Sequence, residues 1–236
     1  MVKRAFDLIA SGAALIVLAL PLGVVIVVLR LTGEGEVWYR QERVGRGGRT
    51  FSILKFATMR AGSETMVAGA FTLRDDPRVL PVGRLLRKTK INELPQLINV
   101  LKGEMSVVGW RPVVPSSFLD YPVPFQEKII ELRPGLTGMG SLVFRDEETI
   151  LERARALRKP PLKCFREDIK PYKSTLELWY QEHLSLWLDL KIISATAWTI
   201  VRPDDPRWRR WFKGLPAPES PLLRIHMGYP SEWATS

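Results

Sequence analysis

The sequence predicts a mostly helical α/β protein: a small membrane-associated domain with an N-terminal re-entrant or kinked spanning helix and interfacial amphipathic helices. Three observations indicate this fold class: an apolar run over residues 8–29, two strand-like segments within residues 36–60, and helical apolar periodicity further along the chain. Hydrophobic residues make up 46% and charged residues 25% of the 236 residues. This composition excludes a disordered chain, a collagen and a coiled coil.

The charge of the chain indicates an anionic partner. Lys and Arg number 35 against 25 Asp and Glu, which gives a net charge of +10. Nucleic acid, acidic lipid and a phosphorylated substrate all suit this charge. The apolar run and the lack of a recognised reading motif argue against nucleic acid. The single cysteine, Cys164, excludes an internal disulfide, and the distance between His183 and His226 along the chain argues against a His-rich metal site.

Residues 8–29 contain no charged side chain. A helix of this length is about 33 Å long, enough to cross the core of a bilayer. The alternatives are a cleaved signal peptide and a buried core helix. The run is long for a signal peptide, Asp7 precedes it, and no A-x-A-like cleavage site follows it. We therefore expect a membrane anchor over residues 1–33.

Pro21 lies inside the apolar run, where it removes a backbone donor and crowds the preceding turn. We therefore expect the anchor to bend at this residue. A kinked spanning helix and a re-entrant hairpin that enters and leaves by the same face both remain open. Lys3 and Arg4 precede the run and Arg30 follows it, so the positive-inside bias does not choose between them.

Residues 36–60 are predicted to form two strands around a glycine-rich turn at residues 45–48. The glycines could also cradle a phosphate, but a plain hairpin turn is the simpler interpretation. Residues 61–73 are predicted to be a mobile loop, and residues 75–77 a turn or a helix cap. Residues 79–86 are predicted to form a short helix.

Residues 84–112 are predicted to contain an amphipathic helix after a basic segment. Asn92 is a suitable N-cap, Glu93 lies in the first turn where the helix dipole favours an anion, and Gly103 ends the helix. What this leaves unexplained is a carboxylate beside so many cations, close to the basic turn at Arg111. The apolar face of the helix comprises Leu94, Leu97, Ile98 and Leu101. The basic segment before it contains Arg84, Arg87, Lys88 and Lys90.

A resemblance to a known family begins in this segment. It is carried by the run LRKTKINELPQLINVLKGEMSVVGWRP, which is similar to the signature of the bacterial sugar transferases, the monotopic polyprenyl-phosphate phosphoglycosyl transferases. Four more segments match in the same order: KRAFDLIASGAALIVLALP, WYRQERVGRGGRTFSILKFATM, LRPGLTGMG and LSLWLDLKIISATAWTI. Together they cover about residues 3–201.

The resemblance implies transfer of a phosphosugar from a nucleotide diphosphate sugar to a polyprenyl phosphate, with release of a nucleoside monophosphate. This reaction would initiate glycoconjugate or exopolysaccharide assembly. The family implies a carboxylate nucleophile, a covalent phosphosugar intermediate and Mg²⁺. It also implies a re-entrant anchor in the bacterial inner membrane, membrane lipids as partners, a catalytic domain on the cytoplasmic face, and a homodimer as one assembly to test.

The same resemblance places Lys55, Arg87, Glu93, Arg111 and Pro112 in the active site, with Glu93 as the metal-binding residue. Cations of this kind spread the charge of a transferring phosphoryl group, and Mg²⁺ neutralises a diphosphate. Arg87 and Arg111 could clamp phosphate oxygens bidentately, and Lys55 could add a point charge.

Asn92 departs from the family pattern, which has Asp-Glu before Leu-Pro-Gln with the Asp as nucleophile. A carboxamide is neither a comparable nucleophile nor a good Mg²⁺ ligand. Three outcomes are open. Glu93 takes over, by direct attack or by supporting attack of the lipid phosphate; Asp75, Asp76 or Glu104 supplies the carboxylate; or the protein is a disabled family member with a binding or regulatory role. The retained phosphate-binding residues favour activity.

The last third of the chain is rich in tryptophan. Five of the eight Trp residues lie between residues 179 and 211, and indole rings favour the headgroup zone of a membrane. We therefore prefer interfacial packing to core packing for this region. We assign residues 34–201 to the sugar-transferase catalytic domain and residues 202–236 to a C-terminal tail with a basic, Trp-rich interfacial segment.

Overall fold

The computed structural model describes residues 2–32, 34–63, 76–203 and 205–229. The predicted mobile loop over residues 61–73 therefore lies largely outside the described residues, and Asp75 lies outside them. The described residues are mostly helical with a few short strands, which confirms the predicted fold class. The chain divides into two compact units, Met1–Leu136 and Thr137–Ser236. The division predicted at residues 33 and 201 follows the family's sequence blocks and stays a prediction.

The first unit begins with helix α1 (Val2–Thr32), which contains Pro21 and continues through it. The bend expected at Pro21 stays a prediction, and the helical backbone continues through this residue, as it does at other proline kinks. Among the described residues, α1 is the helix that is long and apolar enough to cross a membrane. Near its middle, Ile16, Val17 and Leu20 are 77–80% exposed, so this part of the helix presents apolar side chains to its surroundings.

The start of α1 is tied to the first unit by charged side chains. Arg4 Nη1 donates to the carbonyl of Val100 over 2.6 Å. Asp7 is buried, and its Oδ1 accepts from Ser106 Oγ and from the backbone N–H of Val107, each at 3.0 Å. A buried carboxylate with two donors is satisfied, so Asp7 anchors the helix start.

The end of α1 packs on the same unit. Leu29 is fully buried, and the residues around it are apolar. Both ends of α1 therefore contact one folded unit, while its middle is exposed. The buried partners of Leu29 are Val37, Phe56 and Leu86. The partly buried residues of α1 in the same cluster are Leu22, Val25 and Ile26.

Strands β1 (Trp38–Val44) and β2 (Thr50–Phe56) pair antiparallel, from Trp38 opposite Phe56 to Val44 opposite Thr50. The 3₁₀ turn Arg46–Gly48 joins them, with positive φ at Gly47 and Gly48. The Gly47 N–H donates to the carbonyl of Ile130, and the Gly48 N–H donates to that of Gly45. These amides are already bonded within the protein, which supports the interpretation as a hairpin turn over that as a phosphate cradle.

Helix α2 (Pro81–Lys88) starts two residues later than predicted, with Pro81 in its first turn. At Gly83 an added Cβ would lie 2.2 Å from the carbonyl oxygen of Thr58. This position therefore requires glycine, because α2 approaches the chain after β2 at backbone contact distance.

The prediction that Asn92 caps a helix is wrong. Residues Ile91–Glu93 form a 3₁₀ turn, and helix α3 (Gln96–Lys102) begins after Pro95. The backbone bonds through this segment span three residues, as in the bond from the Leu94 N–H to the carbonyl of Ile91. Pro95 has no N–H and restricts the residue before it, which favours the tighter turn.

The buried face of α3 also differs from the predicted one. Leu97 and Val100 are buried, but Leu101 is 37% exposed. The predicted face assumed a helix that runs from Asn92, and the later start changes which residues point inward. Gly103 ends α3 with φ of 87°, as predicted.

The remainder of the first unit packs around the segment that follows strand β3 (Ser106–Val108), which contains Gly109, Trp110 and Arg111. This strand pairs with β4 (Gly135–Thr137), and the Gly135 N–H donates to the carbonyl of Trp110 over 2.8 Å. At Gly109 an added Cβ would lie 2.5 Å from the carbonyl oxygen of Arg133. The intervening helices are α4 (Pro115–Leu119) and α5 (Val123–Ile129).

After the last residue of β4, the regular elements among the described residues of the second unit are all helices. Its helices are α6 (Met139–Val143), α7 (Glu147–Ala156), α8 (Pro161–Cys164), the π-helix Phe165–Ile169, α9 (Lys170–Glu182), α10 (Leu186–Val201), the 3₁₀ helix Pro206–Trp211 and α11 (Pro221–Met227). The side chain of Ser185 caps α10 by accepting from the Leu188 N–H. Trp208 is buried beside Phe212, whereas Trp187 is 67% exposed. Core packing therefore accounts for Trp208, and Trp187 remains available for an interface.

Candidate active site

Three elements bring a carboxylate and two cations together. Glu93, in the 3₁₀ turn before α3, has its Oε1 at 2.8 Å from Arg111 Nη2 and at 3.4 Å from Lys55 Nζ. Its Oε2 lies 3.4 Å from Arg111 Nη1. Lys55 comes from β2, and Arg111 comes from the segment after β3. The side chains of Glu93 and Lys55 are 12% and 15% exposed and that of Arg111 is 44% exposed, so the cluster is open on the arginine side.

The electrostatics of this cluster keep Glu93 ionised. Burial by itself raises the pKa of Glu93, but the charges of Arg111 and Lys55 outweigh burial and hold this pKa well below its ordinary value. Burial lowers the pKa of Lys55 to about 8, although the Glu93 carboxylate opposes the shift. At neutral pH the site therefore holds a carboxylate, an ammonium group and a guanidinium group.

Asn99 fixes the hairpin against α3 and so sets the position of Lys55. Its Oδ1 accepts from the Leu54 N–H at 3.0 Å, and its Nδ2 donates to the carbonyl of Ser52 at 2.8 Å. Asn99 is buried, so this side chain satisfies strand groups that would otherwise be unpaired. The neighbouring residue, Lys55, is thereby held within reach of Glu93.

Arg43 also lies beside the site, although no sequence motif pointed to it. Its Nη1 donates to the carbonyl of Pro112 over 3.2 Å, and its Nη2 donates to Gln41 Oε1 over 2.5 Å. The Val44 N–H also bonds to the chain just beyond Pro112. The alternation of side chains along a strand could have indicated Arg43, because alternate residues of β1 face one side and are partly buried.

The other predicted site residues are Pro112, Asn92 and Arg87, and each has contacts or surroundings of its own. Pro112 follows Arg111 and is held by Arg43. Asn92 is buried next to Glu93, and its Oδ1 has no hydrogen-bond partner among the residues that the structure describes. Arg87 lies on α2, and its charge contributes to lowering the pKa of the Asp76 carboxyl.

The two candidate substitute carboxylates that the structure describes, Asp76 and Glu104, are engaged elsewhere. Asp76 forms a buried ion pair with Arg78, with 2.6 Å between Oδ2 and Nη2. Glu104 Oε2 accepts from Asn99 Nδ2 at 2.7 Å. The local contacts of both side chains are therefore structural, which leaves Glu93 as the carboxylate of the described cluster.

A magnesium ion fits this site only with help from a bound phosphate. Within residues 2–32, 34–63, 76–203 and 205–229, no three His, Cys, Asp or Glu side chains form a group that could hold a metal. Mg²⁺ is commonly bound through one or two carboxylates together with substrate phosphates and water. Glu93 supplies one carboxylate, and the buried Asn92 Oδ1 is an acceptor that lacks a partner in the described chain. Because a carboxamide is a poor Mg²⁺ ligand, Glu93 alone meets the minimum for a metal that draws its other ligands from a diphosphate and water.

The fold and the site together define a protein with a membrane-type anchor helix and a partly buried cation cluster arranged around one carboxylate. The family model described as bacterial sugar transferase matches residues 1–203. The chain belongs to the bacterial sugar transferase family.

Curated relatives agree with this assignment. The chain is 37% identical over 206 residues to undecaprenyl-phosphate glucose phosphotransferase of Komagataeibacter xylinus, covering 82% of this chain and 35% of that protein. It is 32% identical over 216 residues to UDP-galactose-lipid carrier transferase of Erwinia amylovora, covering 86% and 41%. It is 33% identical over 201 residues to exopolysaccharide production protein PSS of Rhizobium leguminosarum bv. phaseoli, covering 83% and 93%. The chain thus spans about two fifths of the length of the first two relatives.

Proposed function

We propose that this protein transfers a phosphosugar from a nucleotide diphosphate sugar to a polyprenyl phosphate and releases a nucleoside monophosphate. The observation that carries the proposal is the convergence of Lys55 and Arg111 on the ionised Glu93. Cations held at such distances can stabilise the charge that develops on a phosphoryl group during transfer. The names of the relatives, which include sugar phosphotransferases acting on undecaprenyl phosphate, support the same class of reaction.

The contacts of Glu93 favour direct attack by the lipid phosphate. Both carboxylate oxygens lie within 3.4 Å of a cation, and a carboxylate with so low a pKa is a weak nucleophile. In this route an oxygen of the lipid phosphate forms a bond to the sugar-bearing phosphorus. The bond from that phosphorus to the nucleoside monophosphate breaks, and the monophosphate leaves with the electron pair. Glu93 then acts by positioning Arg111 and Lys55.

The alternative route uses Glu93 as the nucleophile and forms a covalent phosphosugar intermediate on its carboxylate. It requires Glu93 to release at least one of its cation contacts before it attacks. The two routes differ in one observable: only the covalent route transfers the phosphosugar to the protein when the lipid acceptor is absent.

Mg²⁺ is part of the proposal. Glu93 would hold the ion together with oxygens of the donor's diphosphate, where it would neutralise part of their charge. The protein's own cations then act on the remaining charge, with Lys55 as a point charge and Arg111 as a planar fork.

The contacts of α1 favour a re-entrant anchor. Its start, through Arg4 and Asp7, and its end, through Leu29, both contact the first unit. A helix that spanned the bilayer would place these ends on opposite sides, where one folded unit could not reach both without crossing the membrane. We therefore propose that α1 enters and leaves by one face, with the site on the cytoplasmic face of the bacterial inner membrane, near the phosphate of the lipid carrier.

The proposal is tested with the purified full chain in lipid nanodiscs that contain undecaprenyl phosphate. A panel of nucleotide sugars is supplied with Mg²⁺, and release of nucleoside monophosphate is measured. We expect at least one donor to give release that requires both the lipid acceptor and Mg²⁺ and that stops on addition of EDTA. Binding of a nucleotide sugar without release from any donor would instead support the second candidate, a catalytically disabled binding protein, which the presence of Asn92 keeps open.

A further inference from the structure

Arg43 has no established role in the cluster, although its environment is unusual for a guanidinium group. It is partly buried, and its bonding partners, Gln41 Oε1 and the carbonyl of Pro112, are uncharged. In the described part of the chain it forms no ion pair, and its Nε has no hydrogen-bond partner. A partly buried cation without a carboxylate is normally disfavoured, because its desolvation is not offset by an opposite charge.

A neighbouring arginine increases this cost. Arg43 bonds to the carbonyl of Pro112, the residue that follows Arg111. Burial and then the charge of Arg111 lower the pKa of Arg43, so the two like charges oppose each other. The nearby Glu93 carboxylate gives only partial relief, because its oxygens contact Arg111 and Lys55 instead. The fold nevertheless holds Arg43 firmly, through two bonds to neutral acceptors. An anion that contacts Arg43 and Arg111 together would remove the repulsion.

The site brings three cations, Arg43, Lys55 and Arg111, against one carboxylate, Glu93, and this excess of positive charge suits the two charges of a diphosphate ester. Arg111 and Lys55 already converge from two elements on one carboxylate-sized group, Glu93, and Arg43 approaches from a third, strand β1. A planar guanidinium group donates bidentately to phosphate oxygens. Two linked phosphates can bond to both guanidinium groups at once, with one phosphate on Arg111 and the other on Arg43.

We propose that Arg43 binds one of the two phosphates of the donor's diphosphate while Arg111 binds the other, with Gln41 positioning the Arg43 guanidinium. This inference rests on the proposed function for its substrate class. It makes the partly buried face of β1 part of the donor site. The competing explanation is structural: Arg43 holds the carbonyl of Pro112 and thereby only supports Arg111.

Binding of inorganic pyrophosphate and inorganic phosphate to the full chain in nanodiscs separates these explanations. Isothermal titration calorimetry is applied to the parent, Arg43→Gln, Arg43→Lys and the control Arg40→Gln. Arg40 is exposed on the opposite face of β1, so its substitution removes the same charge from the same strand. Thermal unfolding of each variant reports whether the fold is retained.

We expect Arg43→Gln to weaken pyrophosphate binding by about tenfold or more while phosphate binding changes by less than about threefold. Arg43→Lys should retain part of the pyrophosphate affinity, because it keeps the charge but loses the fork. Arg40→Gln should match the parent. If Arg43→Gln does not fold, the ratio of pyrophosphate to phosphate affinity in Arg43→Lys decides, and it should fall below that of the parent.

An unchanged pyrophosphate affinity in a folded Arg43 variant would overturn the inference. Equal losses for phosphate and pyrophosphate would also overturn it, since they would indicate that Arg43 acts only through Arg111. The proposed function fails independently of this result, because it fails only when the parent releases no nucleoside monophosphate from any nucleotide sugar.

Discussion

At the scale of single residues, Arg111 is partly exposed and contacts the Glu93 carboxylate through two nitrogens. Both of its terminal nitrogens reach Glu93, at 2.8 and 3.4 Å. We expect Arg111→Lys to lower kcat/KM by about tenfold or more, or about 1.4 kcal/mol, because lysine keeps the charge and loses the planar fork. The exposed Arg40, changed to Lys, is the matched control in the same steady-state assay. Near-parental turnover of Arg111→Lys would remove Arg111 from the site.

Asn92 is the residue at which direct and covalent transfer can be separated. Asn92→Asp restores the carboxylate pair of the family pattern. We expect it to yield a trappable phosphosugar adduct on the protein when the lipid acceptor is absent, whereas the parent yields none. Two adjacent carboxylates repel each other unless cations compensate, and Lys55 and Arg111 lie close enough to do so. Intact-protein mass spectrometry after incubation with donor and Mg²⁺ gives the answer. An adduct on the parent would contradict direct attack.

Asp76 and Asp205 offer an internal comparison of buried and exposed ion pairs. Both open an Asp-Pro-Arg sequence, and in both the carboxylate accepts from the N–H and the guanidinium of the arginine two residues later. Asp76 and Arg78 are 3% and 9% exposed, whereas Arg207 is 60% exposed. We expect Asp76→Asn to lower the free energy of unfolding by about 2 kcal/mol at pH 7, and Asp205→Asn to have little effect.

The effect of Asp76→Asn should also depend on pH in a defined direction. Hydrogen bonds from Arg78 lower the pKa of Asp76 below its ordinary value of 3.8. A carboxyl whose pKa is lowered by folding stabilises the protein above its unfolded pKa and loses this contribution as the pH falls through the folded pKa. The difference in urea unfolding between the parent and Asp76→Asn should therefore shrink below about pH 4. A difference that grows on acidification would contradict the ion pair.

At the scale of secondary-structure elements, α1 gives the clearest test of topology. Cysteines introduced at position 3 and at position 40, in a Cys164→Ser background, should both be labelled by an impermeant thiol reagent from the cytoplasmic side only. This result follows if both ends of α1 contact one unit on one side of the membrane. Cys164 is the one native cysteine, and although it is buried, its replacement ensures that any label is on an introduced cysteine. Labelling of position 3 from the periplasmic side would establish a spanning helix.

Local patterns in the sequence predict some elements well and others poorly. The β1–β2 hairpin follows from turn glycines and from alternation, both of which act over a few residues. The helix after Lys90 begins later than its periodicity indicates, because Pro95 and the left-handed backbone of Lys90 impose a 3₁₀ turn. The cluster itself joins Lys55 to Glu93 across 38 positions and Arg111 to Glu93 across 18. Such distant contacts came from the family resemblance, and Arg43 was found only in the structure.

At the scale of the whole molecule, an anchor helix is joined to a proposed donor site on β1, β2 and the segment after β3. The sequence indicated an anionic partner through its net charge of +10. It could not indicate where that charge is concentrated, because the fold selects a few cations for the site and leaves most of the others on the surface. The observed cluster holds one carboxylate, Glu93, and the proposed reaction depends on this group.

The most direct test of this claim compares Glu93→Gln with Glu42→Gln in the nucleoside monophosphate release assay. Glu42 is exposed on β1, so its substitution removes the same charge outside the site. We expect Glu42→Gln to match the parent and Glu93→Gln to lose about 100-fold or more in kcat, because an amide cannot hold both Arg111 and Lys55 in place. Parental turnover by a folded Glu93→Gln protein would contradict the account and place the essential carboxylate elsewhere.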